Sequence, residues 1–154
     1  MMKKTATAFM IAITSAALFS GCAFKKYEAL VRSTMTVDNA VAEKLRMDAA
    51  ANPAQKYILA KDLADKIIYV DDAVVKDIIP STDIDYQFCV VAQIQHAKGM
   101  IEFYIYSKDN GTIAKMEKGK TKISAVGDFR RFFNLLGDAF VMIDVVDADL
   151  SIAK

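Results

Sequence analysis

The residues best suited to nucleophilic chemistry are Cys89 and His96, which is the only histidine in the sequence. A Cys–His nucleophile needs the thiol within hydrogen-bond reach of the imidazole, and an acid that orients the ring. The alternating sequence pattern places the two side chains on opposite faces of one predicted strand, and it supplies no orienting acid. We therefore expect His96 to be a partly buried or edge residue rather than a catalytic base.

Carboxylates and serines offer no clearer chemistry. Asp147 and Asp149 have the spacing that begins a calcium loop, but the turn glycine is missing and the chain ends before the late Glu. A paired-carboxylate hydrolase would need two acids in one cleft, and nothing in the sequence brings two together. No serine lies in a nucleophile-elbow pattern, and there is no glycine-rich phosphate loop or zinc spacing. We expect no enzyme, no metal site and no cofactor.

The other cysteine, Cys22, ends a segment with a distinctive layout. A basic start, Lys3-Lys4, precedes an apolar run, Ala6–Leu18, and small residues, Ser20-Gly21, come directly before the cysteine. This order is typical of a secretory signal. The segment resembles the lipobox of bacterial lipoprotein signal peptides, with Phe19 where leucine is usual.

The resemblance implies that residues 1–21 are removed and that the Cys22 thiol carries diacylglycerol. Ala23 stands where an aspartate tends to retain Gram-negative lipoproteins in the inner membrane, so the resemblance favours the periplasmic face of the outer membrane. One alternative is an uncleaved anchor, although the apolar run is shorter than the ~20 residues that span a bilayer. A secretory peptide cleaved at an alanine-type site is another.

The sequence predicts one domain on a short tether. Residues 22–36 form the lipidated cysteine, the tether and a first helical segment, and residues 37–154 form a single α+β domain. Removal of two signal lysines changes the formal charge from +1 to −1, which gives no electrostatic case for nucleic acid. With Cys22 blocked by lipid, Cys89 has no partner for an intramolecular disulfide.

Two helices are predicted to form an N-terminal hairpin. Thr36 is a candidate cap for a helix from Val37 onward. Asn52, Pro53 and Gln55 form a second helix start with a capping-box arrangement. An apolar stripe from Leu59 to Ile79 predicts that the second helix continues until Pro80 stops it. The stripe consists of Leu59, Leu63, Ile67, Val74 and Ile78, and it is widened by Ile68, Val75 and Ile79.

After Pro80 the period changes from 3.6 to 2, which predicts a meander of three antiparallel strands. Turns at Lys98-Gly99 and at Asn110-Gly111 would fix the register. Loops of two residues there place Ile94 opposite Phe103 and Ile105 opposite Met116, so the apolar residues share one face.

The outer face of this meander would carry the binding residues. It gathers Tyr104, Tyr106 and Val91, with Lys115 from the third strand. The basic residues of that strand and its exit are typical of a protected edge strand. An anion or lipid head-group site is the alternative interpretation.

A C-terminal aromatic helix is predicted to cover the inner face of the sheet. Asp128 would cap it, and its stripe consists of Phe129, Phe132, Phe133, Leu136 and Phe140. The segment Val141–Val146 suits either a fourth strand or a continuation of this helix, and its late acids favour the strand.

Two hypotheses for function follow. The first is a membrane-anchored envelope lipoprotein that binds an envelope protein without catalysis, as an adaptor or assembly factor, because anchoring raises effective concentration. The alternative is a carrier or sensor of a small apolar ligand or lipid held between the sheet and the aromatic helix.

Overall fold

The computed structural model describes residues 32–64, 66–133 and 139–153. Within these ranges the chain forms six strands and three helices. In chain order they are β1 (Thr34–Met35), α1 (Val37–Asp48), α2 (Pro53–Leu63), β2 (Ile67–Pro80), β3 (Phe88–His96), β4 (Gly99–Tyr106), α3 (Asn110–Ile113), β5 (Lys122–Phe133) and β6 (Val141–Ile152). The predicted signal segment and Cys22 lie outside the described residues.

The strands form a closed barrel. Its order is β2-β3-β4-β6-β5, and β5 pairs back onto β2. The β4–β6 pair is parallel, and the other pairs in the wall are antiparallel. The predicted α+β fold, with its meander and C-terminal aromatic helix, is therefore wrong, because this protein is mostly β and its helices are short.

Closure depends on the length of β2. Residues 67–74 of this strand pair with β5, whereas residues 74–80 pair with β3. The strand bends between these halves, because its register shifts between Val70 and Ala73 and again between Val75 and Asp77. Asp72, within the first shift, has a φ of 56°. Bulges of this kind bend a strand and increase its twist, which lets one strand serve two neighbours.

The barrel interior is filled by side chains. Phe103, Ile105 and Ile143 are fully buried and belong to one core cluster. Residues from outside the barrel wall close its ends. Met35, α1 and α2 contribute side chains to the cluster at the end where the chain enters. At the other end Ile113 of α3 and Met116 do the same.

The predicted helix starts are confirmed. Thr36 caps α1, with Asn39 completing a capping box, and the helix begins at Val37 as expected. Asn52 caps α2: its side chain accepts a hydrogen bond from the Gln55 backbone N–H at 3.1 Å. Pro53 takes the first helical position, where its missing N–H costs nothing. Residues 32–36, assigned to the tether and first helical segment, instead include strand β1.

The predicted end of the second helix is wrong, since α2 ends at Leu63 and the chain continues as β2. Ile68, Val70, Ala73 and Val75 are buried in the core, with the bulge adding one residue between Val70 and Ala73. The spacings between these four residues are two, three and two, and the spacing of three at the bulge also occurs in a helical stripe. The β-branched residues that dominate this segment nevertheless fit a pleated strand better than a helix.

The first predicted hairpin exists, with its register moved by two residues. Ile94 lies opposite Ile101 rather than Phe103, and the turn is Ala97-Lys98. A shift of two residues preserves the faces, so the apolar residues still share the interior. Gly99 lies in the strand with a φ of +137°, and a Cβ there would lie 2.8 Å from the Phe140 Cβ.

The second predicted hairpin does not form. Asp109 caps the short helix α3 by accepting a hydrogen bond from the Thr112 N–H at 2.9 Å. Asn110-Gly111 therefore begins a helical turn, and residues 114–121 form turns rather than a third strand. The predicted pairing of Ile105 with Met116 is replaced by pairing of Ile105 with Val145.

The predicted aromatic helix is wrong as well. Residues from Asp128 to Phe133 belong to β5, whereas Leu136 lies outside the described residues. Phe129 and Phe132 both contribute to the core, because the register shifts between Phe129 and Arg131. Strand structure for Val141 onward, the favoured alternative, is confirmed by β6.

Candidate functional site

Three of the four predicted binding residues lie on the outer face of β3 and β4. Val91 is paired with Tyr104, and Cys89 with Tyr106. Val91 is buried, whereas both tyrosines are partly exposed. Lys115 is not part of this group, because it lies in the turns after α3 instead of a neighbouring strand. The binding role of these residues stays a prediction.

Two further aromatic side chains extend this surface. The Tyr104 ring packs edge-on against Phe133, with ring centroids 4.8 Å apart. Tyr106 packs against Tyr86 at 5.6 Å. Tyr86 is held in place because its Oη accepts a hydrogen bond from the Asp147 backbone N–H at 3.1 Å. Such pairs of aromatic rings fix one another's orientation.

Two consecutive arginines of β5 complete the surface. The Arg130 guanidinium lies 5.9 Å from the centroid of the Tyr106 ring, and that of Arg131 lies 5.8 Å from the Phe133 centroid. We call the surface formed by the following six residues the tyrosine face: Tyr86, Tyr104, Tyr106, Arg130, Arg131 and Phe133. A cation above an aromatic ring is attracted by the ring quadrupole.

Carboxylates hold both arginines. Arg131 Nε donates a hydrogen bond to Asp144 Oδ2 at 2.7 Å, and the Asp144 side chain is only 3% exposed. Arg130 Nη1 donates to Asp83 Oδ2 at 2.8 Å. This bond lowers the pKa of Asp83 and raises that of Arg130. The arginines are therefore fixed charges whose outer surfaces remain open to solvent.

Burial determines the protonation of the neutral groups. It raises the pKa of Tyr86 to about 12 and also raises the pKa of Tyr104 and Tyr106. The phenols therefore stay protonated and can donate hydrogen bonds. Burial raises the pKa of Cys89 to about 12. A thiol in that state is not a nucleophile at neutral pH.

His96 lies far from this surface. It lies seven positions further along the extended strand than Cys89, a rise of about 23 Å. Its Nε2 is 3.0 Å from Asp38 Oδ1, and its Nδ1 accepts a hydrogen bond from the Lys98 backbone N–H at 3.0 Å. His96 therefore connects the β3–β4 turn to the start of α1. It is partly buried, as predicted.

The predicted site for an apolar ligand, between a sheet and an aromatic helix, is not formed, because β5 replaces that helix. Ala92 of β3, on the face that the predicted ligand would contact, is fully buried in the packed core. Open grooves lie on the surface instead. One, of about 450 Å³, follows β2, β5 and β6 and includes Tyr69, Ser124 and Asp149.

In residues 32–64, 66–133 and 139–153, no group of three or more His, Cys, Asp and Glu side chains could hold a metal ion. The helices found there lack the length and apolar character needed to cross a bilayer. Comparisons of the chain with protein-family models, curated proteins and solved structures find no match.

Sequence reasoning missed much of the tyrosine face. The sequence pattern does not place Tyr86 on the outer face, and it places Phe133 in the predicted aromatic helix. The run Arg130-Arg131 gave no warning, because on the predicted helix both residues fall on the polar face opposite the aromatic stripe, which is the usual amphipathic pattern. The contact of Arg131 with Asp144 depends on the antiparallel pairing of β5 with β6, in which these two residues are partners.

Proposed function

We propose that this protein is a membrane-anchored envelope lipoprotein whose tyrosine face binds another envelope protein without catalysis. The lipobox-like segment supports attachment through Cys22, at the periplasmic face of the outer membrane in a Gram-negative cell. The observation that carries the binding proposal is the pair of partly exposed tyrosines, Tyr104 and Tyr106, beside two arginines whose outer surfaces are open; Tyr86 is buried beneath them and supports Tyr106.

Tyrosine and arginine suit this role for physical reasons. Both present large contact areas, and both offer hydrogen-bond donors at the edge of an apolar body, which is why they are enriched at binding hot spots. On the tyrosine face they are already oriented by rings and carboxylates, so binding loses less side-chain entropy than it would on a flexible surface. The raised pKa of Cys89 favours binding over covalent chemistry at this face.

The charges define the partner's chemistry. Carboxylates on the inner side of the arginines neutralise much of the positive charge. The partner should therefore present an apolar or aromatic patch edged by hydrogen-bond acceptors, rather than a strongly acidic surface. This complementarity also predicts that binding depends only weakly on salt.

Photo-crosslinking in intact cells tests the proposal. A photoreactive phenylalanine analogue replaces Tyr104 in one variant and Tyr69 in another. Tyr69 is a matched control, because it is 37% exposed and lies in the groove along β2 and β5. We expect a discrete protein adduct from position 104 and none of that mass from position 69. Identical adducts from both positions, or no adduct from position 104, would contradict the proposal.

The anchor has its own test. Cys22→Ser should release the protein from membranes and abolish its labelling by radioactive fatty acid. Wild-type protein that incorporates no fatty acid would rule out lipidation, whatever the crosslinking shows.

A further inference from the structure

The outer side of the α1–α2 hairpin exposes apolar side chains that no described part of the barrel covers. Tyr57 is 71% exposed, Ile58 58% and Leu45 41%. An open groove of about 370 Å³ runs between the two helices, with Ile58 and Leu59 among its lining residues. The inner side is different, since Ala40, Val41 and Leu63 are buried in the core.

This hairpin lies at the end of the barrel where the chain enters. Thr34 pairs with Ile67 at the beginning of β2, and Arg32 Nη1 donates a hydrogen bond to Asp128 Oδ1 at 2.7 Å. The chain from Cys22 to Arg32 spans at most about 35 Å when fully extended. A lipid at Cys22 would therefore keep this end of the barrel close to a membrane.

The residues beside the exposed apolar side chains suit a lipid surface. Lys56 and Lys61 are exposed on α2, where Asp62 is the only acid, whereas α1 carries Lys44 and Arg46 together with three acids, Asp38, Glu43 and Asp48. The net positive charge is therefore confined to α2, the helix that bears Tyr57 and Ile58. Tyrosine and lysine are favoured at membrane interfaces, since each combines an apolar body with a polar tip. Lysines close to an anionic leaflet are attracted by its surface potential.

We propose that the outer side of the α1–α2 hairpin lies on an anionic phospholipid surface, with Tyr57 and Ile58 entering the head-group region. The distance argument rests on the proposed lipid at Cys22, whereas the exposed apolar side chains and the lysines of α2 do not. In this orientation the end of the barrel that carries α1 and α2 faces the membrane. The loop at residues 81–87, at the other end of β2, then points away from the membrane.

Depth-dependent quenching tests this orientation. The full chain is produced in a bacterial host, purified as the cell processes it, and weighed to establish whether Cys22 carries lipid. Ile58→Cys and Ile84→Cys variants are labelled with a fluorophore, and buried Cys89 does not compete for the label. Where the mass shows no lipid on Cys22, the labelling is repeated in chain carrying Cys22→Ser, so that only the introduced cysteine reacts. Ile84 is the control, since it is apolar, 98% exposed and in the distal loop.

Each labelled protein is combined with vesicles of phosphatidylethanolamine and phosphatidylglycerol that carry nitroxide head groups. We expect several-fold stronger quenching at position 58 than at position 84. Equal quenching at both positions would overturn the proposal. Protection of position 58 by a bound polypeptide, with no quenching by lipid, would overturn it too.

A second measurement separates the hairpin from the anchor. Chain carrying Cys22→Ser is added to the same vesicles, and Tyr57→Ser in that background should weaken partitioning by about tenfold because it removes apolar contact area. Ile84→Ser should leave it unchanged. Quenching at position 58 without lipid at Cys22 would refute only the anchor, whereas lipid at Cys22 with equal quenching at both positions would refute only the hairpin's role.

Discussion

Gly127 is the position where a single methyl group should damage the barrel most. It is buried in β5, at the point where the β5–β6 register shifts between Val126 and Asp128. A Cβ on Gly127 would lie 2.7 Å from Val145 Cγ1, 2.9 Å from the Ala148 Cβ and 2.9 Å from the Val146 carbonyl oxygen. These contacts are closer than van der Waals packing allows.

The neighbours cannot move cheaply. Val145 and Ala148 belong to the packed core, and the third contact is a backbone atom. Overpacking a core in this way costs about 1–3 kcal/mol, and with three such contacts Gly127→Ala should reach about 2–3 kcal/mol. For a domain of this size that corresponds to a fall in Tm of about 8–12 °C.

Equilibrium unfolding in urea, followed by circular dichroism, measures this loss. Gly111→Ala is the control, because the nearest atom to its Cβ would be Asp109 Oδ1 at 3.5 Å, an ordinary contact. It lies in α3, where alanine is favoured over glycine, and should change stability by less than about 1 kcal/mol. A Gly127→Ala protein as stable as wild type, with an unchanged m-value, would refute the β5–β6 register described here.

Three other predictions concern single side chains. Asp147 has a φ of 46°, so Asp147→Val should destabilise the fold by about 1–3 kcal/mol, whereas Asp147→Asn should be nearly neutral in the same urea titration. Arg131→Ala leaves the buried Asp144 carboxylate without its 2.7 Å partner; it should cost about 1.5–3 kcal/mol, and adding Asp144→Asn should recover much of that loss. Cys89 should resist a thiol reagent in the native protein at neutral pH and react once the protein is denatured. Burial raises the pKa of the Cys89 thiol to about 12. The contribution of the protonated thiol to stability is therefore complete below the pKa of the unfolded thiol and is lost as pH rises toward 12. Cys89→Ala should flatten this alkaline decrease in stability.

Local signals in the sequence were sufficient for the helix starts and for one hairpin. Thr36 and Asn52 cap helices through hydrogen bonds within three residues, so their geometry depends on nothing distant. The β3–β4 pair also consists of neighbouring strands joined by a short turn. Its faces were predicted correctly even though its register was two residues out, because the side-chain period of a strand is two.

Bulges explain the larger errors. In β6 the core residues Val145 and Ala148 are three apart, and Phe129 and Phe132 of β5 have the same spacing. One extra residue in an extended strand changes its period of two locally to three, which is also the spacing of a helical stripe. Periodicity alone therefore assigned β2 and β5 to helices.

In the candidate site, too, placement along one strand could be predicted from the sequence, whereas contacts between strands could not. Tyr104 and Tyr106 could be placed on one outer face from alternation along a single strand. Arg131 and Asp144 could not, because they are partners in the antiparallel β5–β6 pair, and the segment of β5 that contains Arg131 has the periodicity of a helix. The errors in the secondary structure of β5 therefore removed this contact from the prediction.

The bulges also divide the barrel into two regions with different properties. Strand β5 lies between β2 and β6, and both interfaces contain register shifts. Asp72 and Asp147 occupy equivalent places in those neighbours, each in a Val-x-Asp-Ala segment with a positive φ at the aspartate. This seam supplies the strong bending that a small closed barrel needs.

The opposite side of the wall is regular. The β3–β4 and β4–β6 pairs show no register shift, so outward side chains align in one row from Val91 through Tyr104 to Asp144. Tyr104 and Tyr106 lie in this regular region, where the backbone geometry permits an ordered row of aromatic rings. Arg130, Arg131 and Phe133 lie on β5, where the β5–β6 register shifts between Phe129 and Arg131. That shift explains why two consecutive residues of one strand, Arg130 and Arg131, are both exposed on the outside of the barrel. The tyrosine face therefore combines a regular row of aromatic rings with a bulged strand that presents both arginines beside it.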